Sequence, residues 1–187
     1  MQALDVSLGL SLNELHLLEN TPVRIAGYQH ESIVDGPGLR TTVFFQGCDF
    51  HCVGCHNEMT HDKTKGKLVT ALAVFREIYR STLASGVTFS GGEPFLQEEA
   101  LLVLAKICKA KGRHITIYTG HEVGELLTIC SEEKAKLRRK ILKYTDIVIT
   151  GRFVQKLKTL EKPFVGSSNQ EIYDLSVHNP WEEELNA

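Results

Sequence analysis

Three cysteines, Cys48, Cys52 and Cys55, fall within eight residues directly behind a segment, Leu39 to Gln46, whose centre is almost entirely β-branched or aromatic. Such a segment reads as a strand buried on both faces. The chain must therefore deliver three soft sulfur ligands to one end of a strand deep in a sheet. Closing so short a loop around a metal centre costs little additional chain entropy. Five cysteines is an odd total, and their clustering favours metal binding or catalysis over a disulfide framework. Three thiolates on a four-iron cubane leave the fourth iron an exchangeable position. The spacing thus reads as a 4Fe-4S cluster on Cys48, Cys52 and Cys55, with one iron open to a small ligand. A structural zinc site completed by His51 or His56 is the competing reading of the same loop.

The rest of the chain supplies a frame for that loop. A strand over 23–28 leads into Asp35-Gly36-Pro37-Gly38, a turn, and then into the strand before the cysteines. Helical spacing runs from Leu72 through Phe75, Ile78 and Tyr79 to Leu83, and Val87 to Ser90 reads as a strand ending in Gly91-Gly92-Glu93-Pro94. Leu101, Leu104, Ala105 and Cys108 share one helix face, Ile115 to Tyr118 forms a strand, residues 122–143 read as a helix, and Ile147 to Ile149 as a further buried strand. Cys130 follows Leu126 by four, so Cys108 and Cys130 read as small core residues rather than ligands.

This alternation implies parallel βα units. A complete eightfold barrel takes about 250 residues, and this chain has 187, enough for five or six strands. The fold expected is α/β, an incomplete, open-sided parallel βα barrel. Sites in such sheets lie at the carboxyl ends of strands, where both the cysteine loop and the Gly-Gly-Glu-Pro turn fall. The expected organisation is an N-terminal extension over 1–20 without an assigned role, a core domain over 21–177, and an acidic tail over 178–187 that frays from Trp181 onward. In the extension Leu4, Val6, Leu8, Leu10 and Leu12 alternate before the period shifts to Leu15, Leu17 and Leu18, ambiguous between strand and helix.

Gly91 and Gly92 lack a Cβ and let backbone approach a ligand closely, Glu93 offers an acceptor to an amino group, and Pro94 suits the first turn of a helix. With the Cys-x-x-x-Cys-x-x-Cys loop, this turn resembles the radical S-adenosylmethionine (SAM) superfamily. Val34 to Arg40, the Cys55-His56-Asn57 ending, Ser90 to Pro94, Tyr118-Thr119-Gly120, Gly151-Arg152-Phe153 and Pro163 to Gln170 resemble more closely the activating proteins of anaerobic ribonucleoside-triphosphate reductase, over residues 23–175. The late Gly166-Ser167-Ser168-Asn169-Gln170 segment discriminates best, since the earlier motifs are shared with the activating enzyme of pyruvate formate-lyase.

The resemblance implies reductive cleavage of SAM to methionine and a 5'-deoxyadenosyl radical, which abstracts hydrogen from a glycine Cα of the reductase. Reduced flavodoxin or ferredoxin is the implied electron donor. By the same resemblance Cys48, Cys52 and Cys55 ligate the cluster, while Gly54, His56 and Asn57 lie against SAM. Gly91, Gly92 and Glu93 receive its methionyl end, Thr119 and Asn169 contribute to the rest of the ligand, and Asp35, Gly36 and Gly38 face the partner's glycyl segment. The chain departs from the family pattern at Thr150, where Asp is common, and at Glu171, where Arg is common.

A net charge of -2 leaves no global basic field to draw nucleic acid or an anionic membrane, although a local patch is compatible with it. Without a secretory start or eighteen uninterrupted apolar residues, a cytoplasmic protein with neither nucleic-acid nor membrane partners is expected.

Overall fold

The computed structural model describes residues 9–186. The chain runs through α1 (Leu12–Asn20), β1 (Pro22–Ser32), β2 (Arg40–Phe45), β3 (Lys67–Thr70), α2 (Ala71–Ile78), β4 (Gly86–Gly91), α3 (Glu98–Ala110), β5 (His114–Tyr118), α4 (Glu132–Leu142), β6 (Ile147–Thr150), β7 (Glu171–Asp174) and α5 (Glu182–Asn186). One seven-stranded sheet has the order β3-β1-β2-β4-β5-β6-β7. The central strands β2, β4, β5 and β6 pair in parallel, as their βα connections require. β1, β3 and β7 pair antiparallel at the flanks, so the sheet is open and consistent with a partial βα barrel.

Side-chain alternation separates the two faces of the central strands. Val43, Phe45, Val87, Phe89, Ile115 and Ile117 point into the helix-covered core. The intervening positions, in register across the sheet, are polar at one end, with Arg40, Thr42, Thr88 and Thr116, and lead to Phe44, Ser90 and Tyr118 at the carboxyl end.

Arg40 is fully buried. Its Nε donates to Thr88 Oγ1 at 2.6 Å, its Nη1 to the Pro37 carbonyl at 2.9 Å and to His114 Nδ1 at 3.2 Å, and its Nη2 to the carbonyls of Val87 at 2.6 Å and His114 at 2.9 Å. All five guanidinium N–H groups are thereby used. Burial lowers its pKa to about 10, so the side chain stays cationic at neutral pH. Gly86 is glycine because an added Cβ would overlap the guanidinium.

Three local expectations are corrected. Residues 122–143 are not one helix: turns occupy 122–130, and α4 begins only where Ser131 accepts the backbone N–H of Lys134 as its N-cap. Cys130 consequently sits half-buried on that turn outside the core, whereas Cys108 is fully buried within it. The C-terminal segment does not fray, because Trp181 is buried and its indole N–H donates to the Val123 carbonyl at 3.0 Å. At the other end, a capping box of Ser11 and Glu14 starts α1, and Leu15 and Leu18 join the core. Leu4, Val6 and Leu8 lie outside the described residues.

Trp181→Ala is expected to cost about 3 kcal/mol or more in urea unfolding, the usual scale for emptying a buried aromatic site. Arg40→Lys, which cannot reproduce the five-donor fork, is expected to cost about 2 kcal/mol or more by the same measurement. Stability within 0.5 kcal/mol of the parent, taken as roughly the surface-substitution range, would contradict either assignment.

Candidate functional site

The β2 and β4 loops meet backbone to backbone. Gly92 N–H donates to the Phe45 carbonyl at 2.8 Å and Glu93 N–H to the Gly47 carbonyl at 2.7 Å. A Cβ on Gly92 would overlap the Gly47 carbonyl, and one on Gly91, at φ +102, would lie 2.6 Å from the Phe45 nitrogen. Only glycine admits this approach.

Glu93 then reaches away from the opening. Its side chain is buried and accepts from Phe95 N–H at 3.0 Å, from Thr119 Oγ1 at 3.0 Å on either oxygen, and from Gly120 N–H at 2.8 Å. Burial pushes its pKa up to about 7 against the pull of those donors. One carboxylate thus ties the β4 loop to the β5 loop.

A cleft opens where these loops converge. Its narrow end, about 130 Å3, is lined by Cys48, Phe50, Cys52, Cys55, Gly91, Gly92, Thr119, Gly120 and Arg152 among others. Its wide end, about 710 Å3, is lined by Asp35, Phe44, His56, Asn57, Leu160 and Phe164 among others. Cys55, Ser90, Tyr118, Phe153 and Gln170 border both, which makes the two ends continuous. The volume of the wide end suits a ligand the size of a nucleoside or a short peptide.

The three thiols are free. Burial pushes those of Cys48 and Cys55 up, partly offset by backbone N–H groups, among them Asn57 N–H at 3.4 Å from Cys55 Sγ. Among the described residues no three His, Cys, Asp or Glu side chains converge on a single ion. The thiols instead border one cavity, and a cubane, which takes each thiolate on a different iron, fits that arrangement.

Of the residues expected at the site, Cys48, Cys52, Cys55, Gly91, Gly92 and Thr119 line the narrow end, and His56, Asn57 and Asp35 the wide end. The Thr119 hydroxyl is spent on Glu93, so this residue meets the cavity with its other atoms. Gly54 borders neither end and abuts the Gln155 side chain. Asn169 also lies outside the lining, its side-chain amide donating to the Arg152 carbonyl at 2.9 Å. Its neighbour Gln170 borders both ends, accepting from Gly166 and Ser167 N–H and donating to the Gly151 carbonyl.

The Asp35 loop plugs the sheet's polar interior. The Asp35 carboxylate accepts from Ser32 Oγ at 2.6 Å and Thr42 Oγ1 at 2.9 Å, and its carbonyl from Thr88 Oγ1 at 2.6 Å. Gly36 is buried against Arg40, and Gly38 lies beside Ser85.

Several lining residues escaped the sequence reading. Phe50 is held by the edge of His121 at 5.0 Å and by the Arg152 guanidinium 4.9 Å over its ring. Arg152 is fixed in turn by Glu125 at 3.1 Å, and His56 leans on Phe153 at 5.2 Å. Arg152 and Phe153 stood in a quoted motif without a role; Phe50 and His61 carried no spacing signal. The two departures from the family pattern are register partners on β6 and β7, Thr150 opposite Glu171. Glu171 accepts from the Tyr173 hydroxyl at 2.6 Å.

Residues 34–173 match the family described as a 4Fe-4S single cluster domain. The chain belongs to this family, and the matched range includes the cysteine loop at the narrow end. Curated relatives include the pyruvate formate-lyase-activating enzyme of Clostridium pasteurianum, 39% identical over 132 residues that make up 67% of this chain and 50% of that protein. The pyruvate formate-lyase 1-activating enzyme of Escherichia coli (strain K12) is 32% identical over 160 residues, 83% of this chain and 61% of that protein. The chain thus spans between half and two thirds of the length of these relatives. No helix among the described residues is long and apolar enough to cross a membrane.

Gly92→Ala is expected to push the β4 loop off Gly47, destabilising the fold by about 1–3 kcal/mol and lowering the iron bound after anaerobic reconstitution. Full iron loading and unchanged melting would show that the contact does not hold the thiol loop.

Proposed function

We propose that this chain is a radical SAM activating enzyme that installs a glycyl radical on a partner protein. The observation that carries the reading is the continuous cleft, with three cluster thiols at its narrow end and a wide, largely apolar mouth at the other. When bound, the cluster supplies a one-electron reductant for the sulfonium of SAM. Cleavage of SAM by that electron would give methionine and a 5'-deoxyadenosyl radical able to take a hydrogen atom from a glycine Cα, leaving 5'-deoxyadenosine and a glycyl radical.

The chain's own residues divide the work. Cys48, Cys52 and Cys55 would hold the cluster. The Ser90-Gly91-Gly92 backbone, rather than the carboxylate of Glu93, faces the narrow end and is suited to the amino and carboxylate groups of SAM. His56 and Asn57 lie farther along the cleft, where the nucleoside would extend. Ile33, Val34 and Leu160 stand exposed around the mouth, an apolar rim suited to a docked polypeptide that excludes water from the radical.

For the partner, the Gly166 to Gln170 segment that walls the cleft supports anaerobic ribonucleoside-triphosphate reductase. The names of the relatives favour pyruvate formate-lyase as the alternative. Anaerobic reconstitution is expected to give about four irons per chain and, on reduction, conversion of SAM to 5'-deoxyadenosine. Electron paramagnetic resonance of each partner after incubation identifies the one that acquires a glycyl radical. Absence of SAM cleavage by the reduced, fully loaded protein would overturn the reading.

A further inference from the structure

Residues 158–167 form a lobe whose outer part, Leu160 and Lys162 to Gly166, lines the wide end together with Ile33, Val34 and Asp35. The lobe is closed at its base. Lys158 and Ser167 bridge in antiparallel fashion, Thr159 N–H donates to the Gly166 carbonyl at 3.2 Å, and the Gln170 side chain accepts from the N–H groups of Gly166 and Ser167. Beyond that base, residues 159–166 have neither helix nor strand, and Leu160 at the tip is 94% exposed, so the tip packs against nothing that could fix it. The base sets where the lobe begins; it does not set how far Pro163 to Val165 stand from the floor of the cleft.

That distance is set from the sheet. Tyr118, the last residue of β5, borders both ends of the cleft, and its hydroxyl donates to the Phe164 carbonyl at 2.8 Å. Among the described residues this is the one hydrogen bond that joins residues 159–166 to a strand. Burial pushes the Tyr118 pKa up, so the hydroxyl remains a donor at neutral pH. The backbone it holds is an uncommon one. Phe164 has a φ of +63, in the left-handed region, where a bulky side chain is strained. Such a conformation persists only where its surroundings impose it, and the Tyr118 hydroxyl bonds to the strained residue itself.

The geometry points to Tyr118 as a positioning residue for the substrate polypeptide, acting through Phe164: its hydroxyl holds the strained lobe at the height that sets the width of the wide end. The inference rests on the activating reading, in which a glycine-bearing segment enters that end. Phe164 and Val165 line the wide end alone, whereas Cys48 and Cys52 line the narrow end, so the wall held by Tyr118 meets the segment and not the cluster. Without the hydroxyl, Phe164 is free to relax to an ordinary φ and to carry Pro163 and Val165 with it. Hydrogen transfer needs the two carbons in near contact, so a displaced wall costs rate as well as affinity.

Hydrogen exchange of the full chain, read by mass spectrometry, tests the latch without reference to activity. Tyr118→Phe is expected to speed exchange over residues 159–166 about fivefold or more, the scale of one lost hydrogen bond, while α3 exchanges at the parent rate. Adding Phe164→Asn, which tolerates the left-handed region, is expected to return the lobe toward parent exchange, because the strain that drives it open is gone. Unchanged lobe exchange in Tyr118→Phe overturns the proposal. So does an equal acceleration in α3, which would make Tyr118 a general support of the fold, and so does a failure of Phe164→Asn to restore protection. Function is then read with whichever of the two candidate partner proteins accepts the radical. In Tyr118→Phe the partner concentration giving half-maximal glycyl radical is expected to rise about tenfold, with more 5'-deoxyadenosine released per glycyl radical formed. Parent values for both overturn the proposal. Failure of the reduced, fully loaded parent to cleave SAM would instead strike the activating reading, and with it the polypeptide as the ligand of this wall, whatever the exchange shows.

Discussion

The contact between Gly47 and the Gly91-Gly92-Glu93 backbone is the constraint on which the site depends. Two loops that follow adjacent parallel strands ordinarily keep apart, because side chains at the strand ends stand between them. Here the missing Cβ atoms let the β4 loop donate N–H groups directly into the carbonyls of Phe45 and Gly47. The thiol loop is thereby held at a fixed height above the sheet. Glu93 extends the lock sideways to Thr119 and Gly120, so the ends of β2, β4 and β5 act as one rigid rim. A cluster and a small ligand placed on that rim would meet backbone already in position, which limits the ordering cost of binding.

Arg40 and Asp35 do at the amino end of the strands what Glu93 does at the carboxyl end. An open half-barrel exposes its interior, and this one fills it with a polar plug rather than apolar layers. The cost of burying a guanidinium is reduced here, though not cancelled, because every N–H has an acceptor, and the acceptors belong to β4, β5 and the turn at Pro37. The Asp35 turn is therefore part of the sheet's interior as well as a wall of the cleft. Its functional and its structural readings are compatible: the interior hydrogen bonds fix the height of Ile33 and Val34 at the mouth.

The central strands were legible because burial on both faces leaves an unmistakable run, as in Arg40 to Phe45, and because the apolar stripes of α2 and α3 are regular. The flanks were not. β3 and β7 have four residues each, too few to show alternation, and pair antiparallel, which a strand-helix alternation does not announce. Trp181 was read as tail because the acidic residues after it dominate the composition, although one buried ring with a carbonyl partner outweighs several solvated charges. In the site, the cysteines and glycines were legible because their chemistry admits few alternatives. Glu93 was legible only as an acceptor: that it faces inward depends on Thr119 and Gly120, which lie 26 and 27 residues away along the chain. Phe50, Arg152 and Gln170 were missed or left without a role for the same reason, since each acquires its place from a distant segment.

The thiol loop is braced and has two unlike faces. The cysteines turn toward the cleft, whereas Val53 and Met59 turn away from it. The bracing by Gln46 and the pairing of Gly47 and Cys48 with Thr60 and His61 hold the thiols in one geometry whatever their exposed neighbours do, so the ordering of the loop is settled by folding before anything binds in the cleft.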